Sequence, residues 1–326
     1  MNICIVGAGA LGCTIGAALS EAGASVWLVN RSPVQVEAMN QRGLQLVTPE
    51  GERRVRVQAA THCAGLPLAD LVIVLVKSFD TEAAIRGAAP VIGPDTAVLS
   101  LQNGLGHEDI LAAAVGRDRV LAGKTYVGGV MLAPGRIISG TVGKHTFIGE
   151  LDGAITPRVS AIAAAFNRAG LSTTVSDNIV GTMWDKLLVN VATSGLSGIT
   201  RLAYGDLYEV PEVRETALAA VAEALAVARA AGVRLSFSVP EQAWNRAAEG
   251  LPRAFKASML QSLEKGSVTE VDFIHGAVVR GGRQHGIPTP VNATLVACIK
   301  GIERALAVNK AVGSIVQNTD QHGEKS

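Results

Sequence analysis

The chain has little of the features that mark several specialised classes of protein. Aromatic residues make up 4% and charged residues 17% of its 326 residues, and the formal net charge is only +1. This near-neutral balance gives no support for nucleic acid or an anionic membrane as a partner. The longest apolar runs, such as residues 71–76, have the length of a strand and are far too short to cross a bilayer. No basic segment precedes an apolar one at the N-terminus, so a cytoplasmic protein is expected.

Cysteine and histidine are also scarce. The four cysteines are scattered, and the six histidines show no paired ligand spacing. Reduced thiols and no dedicated metal site are therefore expected. What is abundant is hydrophobic sequence, at 48% of the chain. That composition indicates a globular protein with well-filled cores, and the length suffices for about two domains.

The most informative motif stands at the start of the chain. An apolar strand over residues 3–6 runs into Gly7-Ala8-Gly9-Ala10-Leu11-Gly12, and a helix of small residues follows. In this context the first glycine allows a tight turn, the second lets the backbone approach a pyrophosphate, and the third lets helix and strand pack closely. The N–H groups at the helix N-terminus attract the same anion. The motif predicts a dinucleotide-binding turn; a glycine turn that binds nothing is the alternative.

The end of the second strand predicts which dinucleotide binds. This strand covers residues 25–29 and is followed by Asn30-Arg31. An NAD site usually has an acidic residue here for the ribose 2′-hydroxyl, whereas an arginine suits a 2′-phosphate. The sequence therefore predicts NADP, used as NADPH.

The order of predicted elements indicates two domains. The first half alternates apolar strands with helices, which is typical of a doubly wound parallel sheet. Its later strands are predicted at residues 70–76, 96–101, 123–130 and 144–148, with a Pro134-Gly135 turn before the last. Lys77 and Asn103 follow two of these strands and should lie at the same end of the sheet as the glycine turn.

Helices follow one another from about residue 178, at residues 180–191, 211–231, 240–249, 270–285 and 290–307. The predicted fold class is thus an α/β Rossmann-type dinucleotide-binding domain over residues 1–176, followed by an all-α helical domain over residues 177–326. A cleft between them is the expected substrate site. The alanine-rich helix at residues 216–231 would suit either the core or a helix–helix interface, so a homodimer is a possible assembly.

One predicted helix carries an unusual polar face. Lys186, Asn190, Thr193, Ser194 and Ser197 share that face, which has one lysine and no glutamate. An amine in a cleft could donate a proton to a carbonyl oxygen while hydride reaches the carbon. The alternative is a solvated face that lacks other charges.

Four further candidates have structural explanations of their own. Glu270 closes a capping-box pattern that begins at Ser267, and Ser258 would suit a helix start or the surface. Lys77 could be a solvated charge at a strand end, and Asn103 a turn residue beside a glycine.

Taken together, motifs along nearly the whole chain resemble those of the ketopantoate reductase family, the 2-dehydropantoate 2-reductases. The motifs that carry the resemblance are Gly7 to Gly12, Val76-Lys77, Gln102-Asn103-Gly104-Leu105-Gly106, Lys186-Leu187-Leu188-Val189-Asn190, Ser258-Met259-Leu260-Gln261 and Thr269-Glu270-Val271-Asp272. The resemblance implies NADPH-dependent reduction of a 2-oxo acid to a 2-hydroxy acid, with ketopantoate as the first expectation.

The resemblance also implies roles for single residues. Lys186 matches the family's general acid, and Glu270 matches a glutamate that orders cofactor and substrate. The predicted substrate-binding residues are Asn103, Asn190, Ser194 and Ser258. The predicted cofactor-binding residues are Gly7, Ala8, Gly9, Ala10, Leu11, Gly12, Asn30, Arg31, Lys77, Asn103, Gly129 and Glu270.

The chain departs from the family pattern at three places that bear on the substrate. Ser194-Gly195 stands where pantothenate-pathway members commonly have Asn-Pro, and amides expected near Tyr204 and Phe255 are missing. Losing an amide at a buried polar contact costs about 1–3 kcal/mol, enough to change which acid is preferred. A branched or aromatic 2-oxo acid is therefore an alternative substrate.

Two other function classes remain open. An opine or β-hydroxyacid dehydrogenase combines the same two kinds of domain and would act on an imine or a 3-hydroxy acid. A redox sensor would bind NADPH without turning it over, and it would have no need of a proton donor such as Lys186.

Overall fold

A computed structural model describes the backbone of residues 1–323 and the side chains of residues 1–310. The backbone divides into two compact units, the first Met1–Met183 and the second beginning at Trp184. In the described residues no helix is both long and apolar enough to cross a membrane. The same residues contain no group of three or more His, Cys, Asp or Glu side chains that could hold a metal ion.

The first unit contains all the strands of the described chain and five complete helices. The strands are β1 (Asn2–Val6), β2 (Ser25–Val29), β3 (Leu44–Thr48), β4 (Gly51–Val55), β5 (Gln58–Ala60), β6 (Ala69–Val74), β7 (Ile92–Ser100), β8 (Val120–Thr125), β9 (Gly128–Ala133), β10 (Arg136–Gly140), β11 (Thr146–Glu150) and β12 (Thr173–Val175). The helices are α1 (Ala10–Glu21), α2 (Pro33–Arg42), α3 (Thr81–Gly87), α4 (His107–Val115) and α5 (Pro157–Arg168).

Eight of the strands form the main sheet, in the order β12-β11-β8-β7-β6-β1-β2-β5. All neighbouring strands in it run parallel except β8 and β11, which are antiparallel. Its central strands are buried, with Ile5, Ile73 and Leu99 each 0% exposed. Continuous apolar strands of this kind need helices on both faces, which confirms the predicted doubly wound sheet.

The predicted strand over residues 123–130 is wrong, because these residues belong to two different sheets. β8 ends at Thr125 in the main sheet, whereas β9 pairs with β10 in a four-stranded sheet of order β4-β3-β10-β9. The Thr125 hydroxyl accepts the Val127 N–H at 3.0 Å and so redirects the chain between them. The predicted Pro134-Gly135 turn joins β9 to β10.

The second unit is helical throughout its described part, as predicted. The helix α6 (Ile179–Thr200) contains the division between the units, and α7 (Tyr204–Leu207), α8 (Pro211–Ala230), α9 (Pro240–Ala248), α10 (Ser258–Glu264), α11 (His275–His285) and α12 (Pro290–Gly323) follow. The predicted helix over residues 270–285 starts too early, since residues 271–273 form a separate 3₁₀ turn before α11.

The alanine-rich helix α8 is a core element of its own chain. Its alanines at positions 217, 220, 224 and 228 are each 0% exposed. These residues are therefore covered without any second copy, and of the two roles predicted for this helix they serve the core.

Candidate functional site

The glycine turn between β1 and α1 has the geometry of a backbone anion cradle. Gly7 has a φ of 106°, and its N–H and that of Ala8 donate to the Val29 carbonyl at 3.0 and 2.9 Å. A Cβ on Gly12 would lie 2.4 Å from the Gly7 carbonyl oxygen, so helix and turn touch through their backbones. At Gly9, by contrast, a Cβ would meet nothing within 4 Å. Gly9 therefore borders open space in which a ligand could approach the backbone.

The N-terminus of α1 lies at the same place. Gly9 is its N-cap, no side chain caps it, and its first turn contains no acidic residue. The first N–H groups of a helix lack intrahelical acceptors and carry a partial positive charge. The turn and the helix end together suit a phosphate group.

Asn30 and Arg31 lie at the end of β2, beside this turn. The Asn30 amide donates to the Ala8 carbonyl at 2.8 Å, and its oxygen accepts the Ser32 N–H at 2.9 Å, so Asn30 braces the turn. The Arg31 side chain is 82% exposed and pairs with Asp80, with 2.8 Å between nitrogen and oxygen. A phosphate bound here would pair with the Arg31 guanidinium either beside the Asp80 carboxylate or in its place.

The segments that carry Lys77 and Asn103 are joined by Gln102. Its amide nitrogen donates to the Val76 carbonyl and to the Thr81 hydroxyl, both at 2.9 Å. Sequence reasoning quoted Gln102 only as part of a motif and gave it no role. One feature of the sequence could have predicted this role. An amide side chain directly after a buried strand can donate hydrogen bonds to oxygen atoms of the neighbouring loop.

The Lys77 segment also contacts the glycine turn. A Cβ on Gly7 would lie 2.5 Å from the Val76 nitrogen, and the Leu75 N–H donates to the Val6 carbonyl at 2.8 Å. Lys77 is exposed and Asn103 half-buried. Both therefore lie at the same end of the sheet as the glycine turn.

Gly129, a predicted cofactor residue, packs against α1. A Cβ there would lie 2.8 Å from the Thr14 hydroxyl oxygen and 3.1 Å from the Ala10 carbonyl oxygen. A side chain at this position would push on the first turns of the helix. Contact between Gly129 and the cofactor stays a prediction.

The polar face of α6 divides into two halves. Lys186 and Asn190 are half-buried, whereas Thr193, Ser194 and Ser197 are buried. An ordinary solvated face would leave all five exposed, so that alternative is wrong for this helix. A lysine in partly buried surroundings is consistent with the proton-donor hypothesis.

The buried hydroxyls of this face have partners within the second unit. Ser194 donates to the Asn190 carbonyl at 2.6 Å, and the Thr193 hydroxyl lies 2.8 Å from that of Tyr204. The side chains of the face that remain accessible are therefore Lys186 and Asn190.

Ser258 and Glu270 lie at helix and turn boundaries. Ser258 is exposed and begins α10, with Ala257 as the N-cap. Glu270 is half-buried and directly precedes the 3₁₀ turn. The predicted capping box is wrong, because no helix begins directly after Ser267 and Glu270 is itself the N-cap of the 3₁₀ turn.

Aromatic rings occupy the two positions where the family resemblance leads one to expect amides. Tyr204 and Phe255 lie edge to face with 5.1 Å between ring centroids, and the Tyr204 N–H donates to the Phe255 carbonyl at 2.9 Å. Tyr204 is 8% exposed, and burial raises the pKa of its phenol. Tyr208 extends this group, because its ring centroid lies 6.0 Å from that of Tyr204. The Tyr208 ring also stacks on Trp244, with 4.0 Å between ring centroids.

Two buried titratable residues have no sequence motif, and sequence reasoning missed both. Burial raises the pKa of Glu108, in the first turn of α4, to about 7, and its Oε1 has no hydrogen-bond partner in the described residues. Burial lowers the pKa of His275 to about 4. Both groups are thus held toward their neutral forms.

Comparison with known proteins identifies relatives that match both units. The profile of the family described as "Ketopantoate reductase PanE/ApbA" matches residues 3–153, and that of its C-terminal domain matches residues 178–303. A 2-dehydropantoate 2-reductase of Halobacterium salinarum is 37% identical over 93% of this chain and 99% of its own length. One from Archaeoglobus fulgidus is 33% identical over 93% and 98%.

Solved structures agree with these matches. A PanE/ApbA family ketopantoate reductase from Ralstonia eutropha superposes with a TM-score of 0.86 at 36% identity, over 94% of this chain and all of that one. A D-mandelate dehydrogenase in complex with NADH and anilino(oxo)acetate gives a TM-score of 0.85 at 27% identity, over 94% and 100%. With both of its units matched in sequence, this chain belongs to the ketopantoate reductase family.

Proposed function

We propose that the protein reduces 2-dehydropantoate to pantoate with NADPH, a 2-oxo acid to 2-hydroxy acid conversion used in pantothenate biosynthesis. The observation that carries the proposal is the 37% identity to a 2-dehydropantoate 2-reductase over 93% of this chain and 99% of that relative. In this proposal residues 1–176 bind the cofactor and residues 177–326 supply the substrate and proton-donor groups.

The glycine turn fits the cofactor on physical grounds. Gly7 to Gly12 and the uncapped end of α1 would hold the pyrophosphate, and Arg31 would hold the 2′-phosphate that distinguishes NADPH from NADH. Lys77, Gly129 and Asn103 would complete the cofactor side. When bound, the reduced nicotinamide supplies a hydride to the ketone carbon.

Lys186 donates a proton to the ketone oxygen in this mechanism. Asn190, Asn103 and Ser258 orient the substrate, and Glu270 orders substrate and cofactor. Ser194 is buried and its hydroxyl donates to the Asn190 carbonyl, so contact between Ser194 and a substrate stays a prediction.

An aromatic 2-oxo acid is a second candidate substrate. The edge-to-face pair of Tyr204 and Phe255 favours it, because an aryl group packs against rings and gains nothing from amides. The structural similarity to a D-mandelate dehydrogenase, which acts on an aryl hydroxy acid, supports the same substrate class.

A panel of 2-oxo acids assayed by the loss of NADPH absorbance tests the proposal. It should include ketopantoate and phenylglyoxylate, each with NADPH and with NADH. A kcat/KM that is highest for ketopantoate with NADPH supports the proposal, and one highest for phenylglyoxylate supports the second candidate. Activity only on an imine or a 3-hydroxy acid, or NADPH binding without any turnover, would overturn both.

A variant pair sharpens the choice of substrate. Tyr204→Asn combined with Phe255→Asn should move the ratio of the two kcat/KM values toward ketopantoate by about tenfold, since a regained polar contact is worth about 1–3 kcal/mol. Tyr208→Phe is the matched control, because it keeps the stacked ring on Trp244 and leaves the two tested positions unchanged.

A further inference from the structure

His275 is held in a fixed orientation at the start of α11. Its ring is 0% exposed, and its Nδ1 lies 2.8 Å from the Asn292 side-chain oxygen. The Asn292 amide nitrogen donates to the Glu223 carboxylate at 2.7 Å and to the Ala220 carbonyl at 2.9 Å. Glu223 in turn accepts the Asn292 backbone N–H at 3.0 Å.

These bonds determine which ring nitrogen of His275 carries the proton. The Asn292 nitrogen is committed to two acceptors, so the Asn292 oxygen must accept, and Nδ1 of His275 must donate. Nε2 then carries the lone pair of the neutral ring. That atom is buried and has no hydrogen-bond partner in the described part of the chain. The pKa of His275, lowered to about 4, is consistent with a ring that stays neutral.

The unpaired nitrogen lies against the backbone of α6. A Cβ on Gly195 would lie 2.5 Å from His275 Nε2 and 3.1 Å from its Cδ2. Gly195 has an ordinary helical backbone, so its glycine is required by the ring and not by the conformation. A glycine in a helix interior lowers the free energy of unfolding, and so does a buried nitrogen without a hydrogen-bond partner. Both destabilising features occur at this one contact.

Gly195 faces away from the candidate site on the same helix. It stands nine positions after Lys186 (195 − 186), which is about two and a half helical turns, so the two residues point to opposite sides. The His275 ring therefore supports the back of the helix whose front carries Lys186 and Asn190. Local costs that persist in a fold are expected next to functional sites.

We propose that His275 is a positioning residue of the substrate site: with Asn292 and Glu223 behind it, the ring fixes the backbone of α6 at Gly195 and so sets where Lys186 and Asn190 stand. This inference rests on the proposed function, because it concerns the residues that act on the 2-oxo acid. His275 itself contacts neither substrate nor cofactor in this proposal.

The test is a double-mutant cycle on the contact between ring and glycine. His275→Asn removes the ring and leaves space behind α6, and Gly195→Ala places a methyl group where the ring stands. Each single change should lower kcat/KM for the accepted 2-oxo acid by about tenfold or more, because small misplacements of reacting groups have large effects on rate. In the double variant the methyl group occupies the vacated space, and kcat/KM should return to within about threefold of wild type.

Two readouts separate positioning from a loss of stability. The apparent pKa of the proton donor, taken from the pH profile of kcat, should shift in His275→Asn and return in the double variant. The dissociation constant for NADPH should stay the same in every variant. Gly198→Ala is the matched control, because its Cβ would meet the flexible side-chain end of Ile299 at 2.9 Å, and it should leave the pH profile unchanged.

The outcomes distinguish this inference from the proposed function. If wild type is active and the single changes leave kcat/KM unaltered, or their losses multiply in the double variant, His275 is not a positioning residue and the proposed function stands. If Gly195→Ala does not fold, His275→Asn and the double variant still decide the question. A wild type inactive on all 2-oxo acids overturns both proposals.

Discussion

Glycine brings a helix into close contact in each unit, and the two contacts differ in what the glycine meets. A Cβ on Gly12 would strike a backbone oxygen at 2.4 Å, whereas one on Gly195 would strike a side-chain ring at 2.5 Å. The first contact joins two residues of one short motif, so it can be predicted from the sequence. The second joins positions 80 residues apart (275 − 195), so no motif displays it. Under the proposed function, the first unit would thus offer its ligand a backbone surface, and the second unit would offer side chains that other side chains hold in place.

The largest expected effect is at Lys186, the side chain of the second unit that is proposed to donate a proton to the substrate. Lys186→Ala should lower kcat by about 10²–10⁴, the usual contribution of a general acid. NADPH affinity, followed by fluorescence titration, should not change. Lys186→Arg should be almost as inactive, because a guanidinium keeps its charge and does not release a proton.

Lys265→Ala is the control for this prediction, since Lys265 is an exposed lysine after α10. If Lys186→Ala kept kcat within about threefold of wild type, Lys186 would not be the proton donor.

A second prediction separates two glycines of the backbone cradle. Gly12→Ala should lower the free energy of unfolding by about 1–3 kcal/mol and weaken NADPH binding, because its Cβ has no room beside the Gly7 carbonyl. Gly9→Ala should weaken NADPH binding and leave unfolding unchanged, because its Cβ meets open space. Urea unfolding and a binding titration measure both effects.

Gly87→Ala serves as the control, since a Cβ there also meets nothing within 4 Å and the position is in α3, away from the turn. Equal effects of the Gly9 and Gly12 changes on unfolding would contradict the division of roles.

A third prediction concerns the one side chain to which we assign cofactor choice. Arg31→Ala should lower the preference for NADPH over NADH by about tenfold, since a charge-assisted hydrogen bond is worth about 1.5–3 kcal/mol. Asp80→Asn should move the preference the other way, because it releases the guanidinium from its carboxylate partner. The measurement is the ratio of kcat/KM values with the two cofactors, and an unchanged ratio in both variants would contradict a role for Arg31.

The last prediction concerns Glu108, which affects stability and not the reaction. Its pKa in the folded protein is raised from 4.5 to about 7, so the folded state holds more protons than the unfolded state between these values. Stability should therefore fall as pH rises through that window. Glu108→Gln should remove the fall and raise the free energy of unfolding at pH 8 by at most roughly 3 kcal/mol, since each pKa unit is worth about 1.4 kcal/mol.

Urea unfolding at pH 5 and pH 8 checks this prediction. Asp109→Asn, which changes the neighbouring exposed carboxylate, should keep most of the pH dependence because burial is the main cause of the Glu108 shift. Parallel pH profiles for wild type and Glu108→Gln would contradict it.

Patterns that are local in sequence account for most of what could be predicted. The strands β1, β2 and β6 each end in a run of four apolar residues. In the helices of the second unit, apolar residues recur at helical spacing. The hairpin of β3 and β4 was not predicted, because four of the five residues of β4 are exposed and two of them are arginines. The strand that was predicted over residues 123–130 merges β8 and β9, since the hydroxyl contact that separates them is invisible in a hydrophobicity pattern.

The candidate site divides in the same way. Lys77 and Asn103 could be placed at one end of the sheet because strand ends determine that position. The pairing of Arg31 with Asp80, the direction of the Ser194 hydroxyl and the burial of Glu108 each depend on residues that the chain brings together only when folded. The sequence predicts which types of side chain a site contains. Tertiary packing determines which of their atoms are free to contact a ligand.

Gln102 links the loops after β6 and β7 through one amide group. The two loops therefore share this amide as a point of support, next to the hydrogen bond from the Ser78 hydroxyl to the Asn103 carbonyl at 3.5 Å. A shift of one loop should therefore disturb the other. A change of side chain at this position would disturb the lysine and the asparagine together, and efforts to redesign either loop separately should leave this glutamine untouched.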